Sequence, residues 1–479
     1  MYSKKSVKWI GKVLFFGAFL ALSGCMSFQP GELGGALSAL AASSGVVTVE
    51  VKDSTGAPLK GASVLFKKSG QPDQNWGTTG DDGKLSGRLP VLGTWNLEVT
   101  YGNTMQSRAV TVGADPVTFT FQTSRITVKL ETCAGVGLAG GKVSSRANVS
   151  SGTWFTFGTT GPDGTVSREM FPGNWYFSVE YQQTMTSMQQ DVAANPVVTF
   201  KTTKVTLYHS GTIRYRGNPS SGTFFTFTKP SMEMLPGTIR FDFSGIGEIP
   251  ITVSGCEYKG AVVVVELKDS AGNPLPGAKV MRKGGPVSPG TWFTFGTTDA
   301  NGRVVGLLPP NYNYSFEVQY NMTSAQQSGY VPTTLKYSFQ TKKITVKLQT
   351  CQGNSLAGGN VQYRGSISSG TWFSFGKTSA DGTVSKELFP GNWWFGVEYK
   401  QTYTQKQQDV GVDPIVVFTT SRVWSSYTGK IEYKGNPSSG TWFAFSNPME
   451  MLPGDITFRF GGVIIKTSSI SGCSVEISP

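Results

Sequence analysis

WYFSVEY, Trp175 to Tyr181, decides the fold class. Trp175, Phe177, Val179 and Tyr181 fall on one face of an extended chain, and Tyr176, Ser178 and Glu180 on the other. Successive strand side chains point to opposite sides, so this is the period of a half-buried strand. Trp95, Leu97, Val99 and Tyr101 repeat the pattern, as do Tyr314, Phe316, Val318 and Tyr320. One apolar face and one polar face mark antiparallel sheets packed as a sandwich. Beyond the leader no helical period appears. The chain reads as all-β, a tandem array of antiparallel β-sandwich modules.

Working outward, FPGNW at Phe171 returns at Phe389 and Cys133 returns as Cys351, each 218 residues on. MEMLPG at Met232 returns at Met449. The body is therefore a duplication, and each half is too long for one small β domain. Turn signals divide each half into two full modules and a short one. The expected modules are residues 46–123, 124–203 and 204–260, then 261–341, 342–420 and 421–479. The short modules lack the central hairpin that GTTGPDGTVS supplies in the full ones.

A second repeat runs through the array. GTWFTFG at Gly152 recurs as GTFFTFT at Gly222, GTWFTFG at Gly290, GTWFSFG at Gly370 and GTWFAFS at Gly440. The first module keeps only Trp76 before GTTGDDG. On a strand the two phenylalanines face one way, toward the core. The first aromatic (Trp154, Phe224, Trp292, Trp372, Trp442) faces the other, beside a small residue. Three readings stay open for these five rings: burial in their own module, contact between modules, or a stacking platform for a sugar.

The whole chain has 479 residues, with 42 Lys and Arg against 30 Asp and Glu, for a net charge of +12. The basic residues are scattered, and no run resembles a nucleic-acid footprint. Lys4, Lys5, Lys8 and Lys12 precede an apolar stretch, VLFFGAFLAL, from Val13 to Leu22. That is shorter than the roughly 20 residues of a membrane helix and suits a signal peptide. LSGC, Leu22 to Cys25, resembles the lipobox of bacterial lipoproteins. The resemblance implies cleavage before Cys25, lipidation of its thiol and attachment to the membrane. Met26 in place of Asp implies the outer membrane or cell surface. An ordinary secretory signal cut after the later Ala39–Ala41 is the alternative. Residues 1–25 are thus expected as the leader and 26–45 as a tether, spanning roughly 25 Å if flexible.

GAPLKGASV at Gly56, GNPLPGAKV at Gly272 and TTDANGRVVGLLPPNYNYSFEV at Thr297 resemble carboxypeptidase-regulatory-like and Cna-B-type domains. The resemblance implies prealbumin-like, Ig-like sandwiches in the four full modules. It also raises an internal Lys-to-Asn or Lys-to-Asp isopeptide bond. Lys52, Lys129, Lys268 and Lys347 stand in first strands, but the last strands, VVTFKT and IVVFTT, offer no Asn or Asp. The bond is not expected.

Cys133 and Cys351 end first strands of the middle modules, and Cys256 and Cys473 end the short ones within SGC. One pair per half in an exported protein reads as a disulfide framework, Cys133–Cys256 and Cys351–Cys473. On the chain-entropy account each closure stabilises by roughly 4–5 kcal/mol. Zinc is the weaker reading: there is no CxxC, and His209 is the only histidine. A Ser–His–Asp or Cys–His enzyme would rest on that one residue. The carboxylates at Asp81–Asp82, Asp163 and Asp381 precede Gly as turn-formers, with too few converging to bind calcium. No catalytic residue, cofactor or metal is expected. The expected role is a non-catalytic surface stalk, scaffold or adhesin, with self-association open to it. A glycan-binding protein using the repeated aromatics is the alternative, and a fibre or coat subunit a second.

Overall fold

In the computed structural model the described residues are 45–148, 152–217, 222–228, 230–286, 290–436 and 440–479. Their regular secondary structure is all strand. The second module shows how one unit is built. Ser124–Glu131 is the centre of a three-stranded sheet, antiparallel to Thr165–Met170 and parallel to Val197–Lys201. Phe155–Thr159, Lys142–Arg146, Asn174–Tyr181 and Thr184–Asp191 form the facing four-stranded sheet in that order. Alternation puts Ile126, Val128 and Leu130 of one sheet against Val143, Phe177 and Val179 of the other. The Trp175 indole N–H, buried in this core, donates to the Phe171 carbonyl at 2.9 Å. That satisfies the one polar atom of the ring, which burial would otherwise penalise.

A β-bulge gives the repeated aromatic motif its two sides. The register between Lys142–Arg146 and Phe155–Thr159 shifts between Thr156 and Gly158, leaving Phe157 as the extra residue, buried in the core. An added residue turns its side chain away from simple alternation. The same shift precedes Gly296 and Gly376, and also Gly77. Trp76 is therefore the first module's counterpart of Phe157, with its ring 4.5 Å from Phe66. It is a bulge residue rather than a remnant of the exposed aromatic, whose place is taken by Asp73.

The short modules keep both sheets. In 204–260 the four-stranded sheet runs Phe225–Thr226, Ile213–Arg216, Gly237–Phe243, Gly247–Val253. Ser231–Met234 and Thr203–Tyr208 supply the other sheet. The region that reads as a lost hairpin is a trimmed one, its first strand reduced to two residues.

Modules follow one another without linkers. Three junctions leave one residue between the last strand of one module and the first of the next: Thr123, Thr202 and Thr341. At the other two the strands fuse. Ile415–Trp424 crosses the expected boundary at 420, and Glu257–Lys268 crosses that at 260. The latter runs parallel to Thr203–Tyr208 with its first residues and antiparallel to Arg303–Leu308 with the rest.

Candidate functional site

Four junctions carry one sequence element that works on both sides of the boundary. It reads EMFPG at Glu169, EMLPG at Glu233, ELFPG at Glu387 and EMLPG at Glu450. The residue before Pro-Gly leaves its own module. Phe171 lies in the core of the first module, edge-on to Phe121 at 6.3 Å. Phe389 lies in the fourth module's core, edge-on to Phe339 at 6.4 Å. Leu235 enters the second module's core and Leu452 the fifth's. Each is at most 1% exposed.

Each inserted residue is also held by its backbone. The N–H groups of Phe171, Leu235, Phe389 and Leu452 donate to the hydroxyls of Thr104, Thr184, Thr323 and Thr402 at 2.8–3.0 Å. Those threonines donate in turn to Tyr101, Tyr181, Tyr320 and Tyr399 carbonyls across a hairpin turn. Each of these buried donors thus has an acceptor.

The glutamate of the element closes the other side. Glu169 accepts from Thr123 Oγ1 at 2.7 Å and from Ser54 Oγ and N at 2.6 and 3.1 Å. Glu387 repeats this with Thr341 and Ser270. Glu233 accepts from Thr202, and Glu450 from Thr420. These threonines are 1–3% exposed, and hydrogen bonds to charged acceptors are worth about 1.5–3 kcal/mol each.

Close approach completes the contact. Tyr215, Tyr363 and Tyr433 donate to the Gln182, Asn321 and Lys400 carbonyls at hairpin tips of the preceding module. A Cβ on Gly217 or Gly435 would overlap the carbonyl oxygen of Gln183 or Gln401. The tips are two-residue turns with positive φ at both positions, Gln182–Gln183 and Lys400–Gln401.

The junction between the halves differs. Gly260 and Leu307 stand where Thr and Glu stand elsewhere, and Pro309 replaces the inserted residue. Leu307 and Val305 instead pack into the third module's core, so this boundary is joined by apolar burial and a shared strand.

The four cysteines other than Cys25 form Cys133–Cys256 and Cys351–Cys473, with Cα atoms 5.3 and 5.1 Å apart. Each bond links the turn ending a first strand to the segment opening the final strand of the short module. The Cys256 and Cys473 carbonyls also accept from Lys204 and Arg422 N–H.

None of the five first-position aromatics belongs to a buried core. Trp154 is 39% exposed and the other four are half-buried. Each instead lies under a cation. Arg146 sits 5.2 Å from Trp154 and 4.5 Å from Tyr176. Arg364 sits 5.3 Å from Trp372 and 5.6 Å from Trp394. Lys283 lies over Trp292, Arg214 and Arg216 over Phe224, and Lys434 and Arg459 over Trp442. In the first module Lys67 occupies the place of Arg146 and pairs with Glu98 at 2.8 Å. The Glu98 bond first, then attraction to Glu98 and Asp73, raises the Lys67 pKa against its desolvation. The cations over aromatics were not legible from the aromatic motif itself, because they stand on the neighbouring strand.

The remaining candidates have structural partners. Asp163 accepts from the Thr165 hydroxyl and N–H, which hold its pKa down. Asp381 does so with Ser379 and Thr383. Lys52, Lys129 and Lys268 form ion pairs with Glu50, Glu131 and Glu266. Burial works against the Glu266 carboxylate, but Lys336 and Arg303 outweigh it and lower its pKa. His209 Nε2 is 3.1 Å from the Ser244 carbonyl. Among the described residues no group of three or more His, Cys, Asp or Glu could hold a metal. The lipidation expected at Cys25 falls outside the described residues.

No family model matches the chain, and no curated protein matches it. Among solved structures it is similar to the Bacillus anthracis TIE protein, at 13% identity and a TM-score of 0.19. That match covers 63% of this chain and 51%, about half, of the other. The Streptococcal ancillary pilin is matched at 10% identity and TM-score 0.20 over 62% of this chain and 98% of that one. BcpA, the major pilin subunit of Bacillus cereus, is matched at 9% and 0.20 over 62% and 99%. At these scores the all-β assignment rests on the chain's own sheets, and function on its own geometry.

The junction geometry predicts that Phe389→Ala destabilises by about 3–5 kcal/mol, the range for a buried aromatic. Hydrogen exchange should then rise in Tyr312–Tyr320 of the fourth module, not only in the fifth, where Phe389 belongs by sequence.

Proposed function

We propose that this chain is a non-catalytic structural protein of the cell surface, a stalk or scaffold tethered through lipidated Cys25. The observation that carries the reading is the repeated junction: a side chain of one module completes the core of its neighbour. A module that surrenders Phe171 or Phe389 loses part of its neighbour's core as well, so bending a junction costs buried apolar contact. An array meant for flexible display would use Gly- and Ser-rich linkers instead. Here single threonines, or no residue at all, stand between strands.

The disulfides fit the same role. Tension applied at the two ends passes from the first strand of a middle module through the bond to the final strand of the short module. The 123- and 122-residue separations they bridge are thereby spared from load. Anchoring by several acyl chains on one cysteine, each buried CH₂ contributing about 0.8 kcal/mol, would hold the base in the membrane.

Two measurements test this reading. Cys25→Ser is expected to move the protein from the membrane fraction to the soluble one; unchanged fractionation would remove the anchor. In single-molecule stretching of the oxidised chain, the two bridged segments should contribute no length. Reduction should release about 440 Å for each, at roughly 3.6 Å per residue. Equal extension before and after reduction would show that the bonds carry no load.

A further inference from the structure

We propose that the outer face of the four-stranded sheet in the second and fifth modules binds acidic saccharides through an aromatic–arginine–aromatic clamp. The inference stands apart from the structural role, which neither requires nor excludes it. In the second module Arg146 leaves the central strand outward, because Val143 and Ser145 take the inward positions. Trp154 precedes the edge strand on one side, and Tyr176 lies opposite Arg146 on the other. The guanidinium therefore lies between two rings. Arg364, Trp372 and Trp394 reproduce the arrangement, 218 residues further on.

Three features separate these clamps from ordinary surface packing. First, Arg146 and Arg364 form no ion pair among the described residues and each lies against two rings, whereas the corresponding cations of the other sheets are either ion-paired or, like Lys283 and Lys434, over a single ring. Lys67 pairs with Glu98, and Arg216 with Glu248. In the sixth module Arg459, beside Trp442, pairs with Glu432. Second, the rings keep free surface: Trp154 is 39% and Tyr176 36% exposed, and Trp372 and Trp394 are half-buried. Third, the cross-strand neighbours are uncharged hydrogen-bonding groups. Gln189 stands opposite Tyr176, and Gln407 opposite Trp394, both exposed.

Those groups match one ligand chemistry. A flat indole or phenol face stacks on the C–H face of a pyranose ring. A guanidinium flanked by apolar rings is a fork-shaped donor for a carboxylate or sulfate. Glutamine amides bond ring hydroxyls in both directions. A neutral sugar would leave the arginine without its partner. A nucleic acid would call for a continuous basic track, whereas each clamp offers one cation. Two clamps on one chain would also favour a polymer over a single sugar unit.

The test uses the full oxidised protein with galacturonic-acid oligomers of defined length, monitored by intrinsic tryptophan fluorescence and calorimetry. Neutral cello-oligosaccharides of equal length and a single-stranded oligonucleotide serve as comparison ligands. Saturable binding of the acidic oligomer is expected, weakening as salt screens the arginines. The paired variants Arg146→Gln with Arg364→Gln, and Trp154→Ala with Trp372→Ala, should each weaken binding at least about tenfold, or about 1.4 kcal/mol. Because these residues lie outside the buried cores, unchanged thermal unfolding is expected and separates lost binding from lost folding. If an aromatic pair did unfold the protein, the arginine pair would still decide the matter. Lys67→Gln should bind as the unaltered chain does. Equal binding of neutral and acidic oligomers, preference for the oligonucleotide, no saturable binding, or binding indifferent to both paired variants would overturn the proposal.

Discussion

The insertion of one apolar side chain into the neighbouring core is the constraint on which the array depends. Phe171, Leu235, Phe389 and Leu452 each leave their own module and are buried in the one before. Truncating such a residue opens a cavity in a module where the change was not made. The neighbouring polar contacts then acquire their meaning. Glu169 and Glu387 each gather three hydrogen bonds from the preceding module, and those bonds hold only while the inserted ring fixes the approach. The small modules, with few buried residues each, gain stability from this sharing that a lone unit of their size would lack.

Sequence period and spacing reached the sandwich and the duplication because both are written in local patterns. The alternation of Trp175, Phe177 and Val179 needs only one strand, and the 218-residue repeat needs only comparison of the chain with itself. The inserted residue was harder to read. Phe171 sits beside Pro172 and Gly173, where chain punctuation dominates, and strand period does not say which core receives a residue at a turn. A signal was nonetheless present. Glu-x-Φ-Pro-Gly occurs at Glu169, Glu233, Glu387 and Glu450, and is missing from the first and fourth modules. The aromatic motif misled in part for a related reason: the bulge at Phe157 is a two-strand feature, so simple alternation describes only the positions before it.

The same sheets divide two kinds of work. Their inward faces and ends are committed to cores and junctions. Their outward faces carry the cation–aromatic pairs, where substitution is cheap for folding. Asp73 and Lys67 in the first module show the exchange directly: a carboxylate and an ion pair stand where the second and fifth modules have an indole and an arginine stacked against it. The fold is therefore free to vary this face from module to module while each junction is kept.

A rigid array requires adjacent modules to behave as one body. Electron–electron spin distance measurement on the full chain tests that most directly. Labels would replace exposed Lys60 of the first module and Lys142 of the second, whose side chains are 68% and 69% exposed. A single narrow distance distribution is predicted, broadening when Phe171 is replaced by Ala. A broad distribution in the unaltered chain would contradict the account, because the inserted ring would then not fix the junction.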